Sequence, residues 1–184
     1  IIVKVIHFGL DYYIIYSFIP DFIYVDGVQT EIDNKGYINN ESTEPKNVTL
    51  IWNHEIETCE QLFYEVEDAI EIDLSKFNTS KITSMNNMFY NCKQLQNINF
   101  GNIDTSSVRD MQFMFGEMSI KEINLKNFNT KNVVNMRNMF QSCRQLTSID
   151  LSGFDTNNVK DMYSKFEDDL DLTSLNLGNF DTSQ

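Results

Sequence analysis

Glu71 and Asp73, two carboxylates at i and i+2, are the spacing in this sequence most able to do chemistry. On a strand they share one face about 7 Å apart, a separation that fits the paired acids of a glycosidase. An open sheet face gives such a pair no pocket to raise one pKa or exclude water, so a solvated polar strand is expected. Nucleophilic catalysis needs a Ser or Cys beside a base, and the only histidines are His7 and His54, neither inside a recognisable motif. The cysteines are Cys59, Cys92 and Cys143, and no two Cys or His residues fall within four positions of each other. Zinc sites are built on such close pairs. Catalytic, metal and cofactor sites are therefore not expected, and the chain reads as a non-enzyme.

The elements that would hold these residues come from a repeat. A leucine-type position recurs at Leu74, Phe100, Leu125, Leu151 and Leu177, spaced 26, 25, 26 and 26. Each is followed by Phe or Ile and an Asn/Asp-Thr pair, from Phe77-Asn78-Thr79 to Phe180-Asp181-Thr182. Fixed-period self-similarity marks a repeat architecture. Within one repeat, Ile82, Met85, Met88, Phe89 and Cys92 form a stripe at helical spacing, and Ile98 and Phe100 alternate around Asn99 as in a strand. The Asn/Asp-Thr turn is expected to cap the helix. Neither element covers its apolar face alone, so stacking is required. A worn first repeat places Ile56, Cys59, Leu62 and Phe63 on the same stripe, with Val48–Trp52 as its leading strand. Upstream, Ile1–Phe8, Tyr12–Phe18 and Phe22–Val25 read as strands, Asp26-Gly27 as a hairpin turn, and 31–47 as a polar loop or hairpin arm.

The string Leu151–Met162, with Met-x-x-Met-Phe-x-x-Cys at Met136–Cys143, resembles the BspA-type leucine-rich repeats, also called mycoplasma-lipoprotein-associated repeats. The resemblance covers about residues 48–184. It implies a leucine-rich-repeat-like solenoid, a secreted or cell-surface location, and adhesion or protein binding without catalysis. Two departures stand out. The link Gly116–Glu122 is one residue short, and the fourth regular repeat, the fifth rung when the worn one is counted, has Lys165 and Asp169 at apolar positions. These two are expected to be solvated, or paired at i, i+4.

The expected fold is thus an α/β solenoid, a right-handed stack of strand-turn-helix repeats of about 26 residues, with a β-rich N-terminal cap at 1–47 and repeats at 48–184. Cys92 and Cys143 then hold one register position two rungs apart, about 10 Å and beyond the roughly 7 Å Cα limit of a disulfide; all three cysteines read as core thiols. The outward sheet face carries a column of Asp73, Asn99, Asn124, Asp150 and Asn176. It is flanked by Glu71, Asn97 and Glu122 on one side and by Lys126 and Ser152 on the other. This low-relief polar strip is the candidate binding surface, unless its amides merely support the sheet.

Of 184 residues 27 are acidic and 14 basic, a net charge of −13 concentrated in residues 1–73, which hold 15 acids and 3 bases. No basic patch suits nucleic acid, and no stretch is long and apolar enough for a membrane span. A protein or glycoprotein partner is expected, bound by the repeats. The alternative is a structural component of a surface coat or filament, self-associating through an open C-terminal end. The chain begins at Ile1 and reads as a piece of something longer. Three sequons, at Asn40, Asn47 and Asn78, fit a secreted chain without demonstrating one.

Overall fold

The computed structural model describes residues 2–7, 11–13, 19–31, 37–39, 44–178 and 180. Ten strands form among the described residues: β1 (Ile2–His7), β2 (Asp11–Tyr13), β3 (Phe22–Val25), β4 (Val28–Thr30), β5 (Tyr37–Asn39), β6 (Lys46–Ile51), β7 (Ala69–Asp73), β8 (Asn97–Asn99), β9 (Ser148–Asp150) and β10 (Ser174–Asn176). β3 and β4 are the expected hairpin, with φ of 49° at Asp26 and 83° at Gly27. Positive φ at both central residues matches the right-handed strand twist. One six-stranded sheet runs β4-β3-β6-β1-β7-β8, and β9-β10 and β2-β5 form separate pairs. β1 lies antiparallel between β6 and β7, while β7-β8 and β9-β10 are parallel. The expected strand over 12–18 and the arm over 31–47 fall partly outside the described residues, as do the sequon at Asn40 and the turn at Asp181-Thr182.

No helix forms among the described residues, which overturns the α/β leucine-rich-repeat-like solenoid. The apolar stripe is buried as expected, with Met85, Met88, Phe89 and Cys92 all 0% exposed, but on a different backbone. Met88, Tyr90 and Cys92 donate their N–H groups three residues back, to Met85, Asn87 and Phe89. The alternate N–H groups, of Met85, Asn87, Phe89 and Asn91, reach instead to the carbonyls of Asp110, Gln112, Met114 and Gly116 in the next repeat. Each repeat is therefore a short strand followed by overlapping turns, and the rungs are joined by backbone bonds. The turns need left-handed residues at a spacing of four: Gln61 and Glu65, Asn87 and Asn91, Phe113 and Glu117, Asn138 and Ser142, Ser164 and Asp168. A left-handed residue at every fourth place breaks any right-handed helix.

The core runs along the stack. Phe89 and Phe115 stack at 5.8 Å, and Phe115 and Phe140 at 5.4 Å. The Asn/Asp-Thr pairs also differ from the expected helix caps. Asp104 accepts the Ser106 N–H at 2.9 Å, closing a turn. Buried Thr105 and Thr130 bond the next rung instead: Thr105 Oγ1 donates to the Asn129 carbonyl at 2.9 Å and accepts the Asn129 N–H at 2.7 Å.

Candidate interaction site

The ten residues of the expected strip lie at or just beyond the strands of one face. Glu71 and Asp73 are on β7, Asn97 and Asn99 on β8, Asp150 on β9 and Asn176 on β10; Glu122, Asn124, Lys126 and Ser152 fall outside named strands. The column residues close turns. Asp73, Asn99, Asn124, Asp150 and Asn176 accept the N–H two residues on, from Ser75, Gly101, Lys126, Ser152 and Gly178, at 2.8–3.2 Å. Asn97 Nδ2 also donates to Glu71 at 3.2 Å, and Asn99 Nδ2 to Asp73 at 3.1 Å. Partial desolvation would raise the Asp73 carboxyl, but the hydroxyl and N–H of Ser75 outweigh it and hold the group below its usual range. The Ser152 hydroxyl and N–H do the same at Asp150. Both carboxylates of the Glu71/Asp73 pair are thus held by neighbouring rungs.

The face is interrupted at the third repeat. Between the paired apolar residues of the corner lie two residues in most rungs, Lys93-Gln94 between Cys92 and Leu95 and Arg144-Gln145 between Cys143 and Leu146. The third rung has Ser119 alone, between Met118 and Ile120. With the shorter corner, residues 120–124 do not lie flat against β8. The Leu74 N–H donates to the Asn99 carbonyl and the Leu151 N–H to that of Asn176, both at 2.8 Å. The equivalent bonds from Phe100 to Asn124 and from Leu125 to Asp150 do not form among the described residues. β8 is consequently the last strand of its sheet, and on this face the third rung keeps one isolated bridge among the described residues, Glu122 to Ser148.

What opens there is a recess of about 750 Å³ across the sheet face, which shares Gln96 in its wall with a second of about 460 Å³ at the corner. Its walls include Asn97, Glu122, Asn124, Asp150 and Asn176 of the strip. Ile98, Ile120, Ile123 and Ile149 also line it, Ile123 the most exposed of the four, and the corner adds Lys93, Gln94, Ser119, Lys121 and Gln145. Glu71, Asp73, Asn99, Lys126 and Ser152 do not line it. That the isoleucines and Gln96 line a recess went unnoticed in the sequence pattern, where Ile98 stood only as a strand residue; the signal was the 25-residue spacing of the third repeat.

Elsewhere the polar groups are structural. Lys165 is neither solvated nor ion-paired with Asp169, contrary to expectation. It is 7% exposed, its Nζ 3.2 Å from Met136 Sδ and 4.6 Å from the Phe180 ring centroid, and burial pushes its amine down to about 7. Burial also raises Asp169 to about 6, against the Cys143 N–H that donates to it at 2.7 Å. The three cysteines are buried free thiols, and Cys143 Sγ donates to the Phe115 carbonyl at 2.8 Å. His54 is exposed and lies 3.1 Å from Asp21; the His7 side chain falls outside what is described. Among the described residues no helix is long and apolar enough to cross a membrane.

Residues 57–176 match the family model described as "Mycoplasma protein of unknown function, DUF285". The match covers the stacked repeats; the finer BspA-type leucine-rich-repeat identity does not follow from it. No curated protein and no solved structure matches the chain.

Proposed function

We propose, on the premise that the chain belongs to the DUF285 family, that it is a non-enzymatic interaction module, secreted or at the cell surface, that mediates adhesion or protein–protein binding through its stacked repeats. The observation that carries this reading is the recess. Polar side chains surround apolar surface in a concave site, the composition of a place where a partner is held and oriented. The partner class is a protein or glycoprotein. Asn124→Trp fills the recess on a residue whose own side chain is exposed. Beads coated with the chain should adhere to a cultured animal-cell monolayer, and beads carrying the Trp variant should not. Equal adhesion by both would overturn the assignment to this face.

A structural role in a coat or filament is the second reading. Its support is the apolar exposure of the last described rung, with Leu170 75%, Tyr163 65% and Leu175 40% exposed. Light scattering across a concentration series separates the two, since only self-assembly gives a mass that grows with concentration.

A further inference from the structure

We infer that the recess takes an extended, cationic peptide segment, which adds as a strand to the free edge of β8; the inference rests on the interaction reading above. The Asn99 carbonyl faces β7, since it accepts the Leu74 N–H. Peptide groups alternate along a strand, so the N–H and C=O of Ile98 face the other way, toward the third rung, where no ladder forms among the described residues. An unpaired edge is a template for a further strand, and main-chain pairing to such an edge is an established mode of peptide capture.

The side chains then choose the peptide. The walls of the sheet-face recess carry two carboxylates, Glu122 and Asp150, and no base. Ile98 and Ile123 lie beside them. An extended segment alternates its side chains between two faces, so one that places aliphatic residues on the isoleucines and Lys or Arg toward the carboxylates complements both features. Acidic segments are disfavoured by the same two carboxylates.

The probe is a synthetic hexapeptide of alternating Lys and Val with blocked ends. Controls are its Glu-for-Lys counterpart and a version N-methylated at alternate amides, which keeps the charge and removes strand pairing. Titration calorimetry should show the lysine peptide binding at least tenfold more tightly than either control, and amide resonances of Ile98 and Asn99 should shift on binding. Inserting a glycine between Ser119 and Ile120 restores the two-residue corner. It should close the ladder and abolish binding without lowering the melting temperature. Glu122→Lys should weaken binding at least tenfold with the fold intact, which keeps the test open if the insertion variant does not fold. Equal affinity for the N-methylated peptide overturns strand addition, and equal affinity for the acidic one overturns the charge argument. Adhesion lost by Asn124→Trp while none of the peptides binds overturns this inference alone. Peptide binding without any adhesion overturns the broader reading instead.

Discussion

Lys165 occupies the position that Met139 fills one rung earlier, and its amine sits among Met136, Phe154 and Phe180 without a counter-charge among the described residues. Its value of about 7 lies below the ordinary 10.5 of the unfolded chain. Between those two values the unfolded state holds a proton that the folded state does not. Stability therefore falls as pH is lowered through the window, by about 1.4 kcal/mol per pH unit, and the loss is complete below pH 7. Lys165→Met removes this dependence while keeping an unbranched chain in the same space. Urea denaturation at intervals from pH 6 to 10 should show the Met variant more stable, on the order of a few kcal/mol at neutral pH, with its advantage shrinking toward pH 10. A constant difference across that range would place the charged amine in water. The i, i+4 relation to Asp169 suggested a surface pair because on a helix those positions are neighbours; on the observed backbone Asp169 turns to the Cys143 N–H instead.

Among the elements, the run of turns depends on the phenylalanine ladder more than on local propensity. Phe115 is fully buried, stacked on Phe89 and Phe140 and edge-on to Phe100. Phe115→Ala should cost about 3–5 kcal/mol, read by chemical denaturation. A cost under 1 kcal/mol would mean that the rungs collapse around the cavity. The buried positions were legible in the sequence because a helix and this ladder of turns bury the same spacing, so Met85, Met88 and Phe89 point inward on either backbone. What could not be read was where the alternate N–H groups go. Asn87, Asn91 and Asn138 hint at left-handed conformations, which asparagine tolerates, but Gln61, Glu65 and Phe113 adopt the same conformation without any residue-type signal. The short third link was visible as a count of 25. Its result, an open ladder beside β8, depends on how the neighbouring rungs hold their own spacing.

At the scale of the whole molecule, the net charge of −13 is carried mostly by residues 1–73. Exposed pairs such as Lys93–Glu67 at 2.7 Å and Lys46–Asp26 at 2.9 Å offset little of it. Self-repulsion destabilises a compact state and is screened by salt. Raising sodium chloride from about 0.01 M to 0.15 M shortens the screening length roughly fourfold, and the melting temperature should rise by a few degrees. A fall would show that the ion pairs outweigh the repulsion.

Along the run of turns the bonds between rungs also have a direction, opposite to that of the N–H groups of Thr83, Arg109, Val134 and Lys160, which point back to the preceding repeat. At each junction four N–H groups point the same way along the stack, from Cys59, Gln61, Phe63 and Glu65 through to Met136, Asn138, Phe140 and Ser142, each toward a carbonyl of the following repeat. Peptide dipoles of about 3.5 D aligned in this manner add, as they do along a helix axis, whereas the dipoles of an ordinary sheet largely cancel. In this part of the molecule every added rung lengthens one electrical axis, with its positive end toward the later repeats. The fifth rung meets that end with Glu167, Asp168, Asp169 and Asp171.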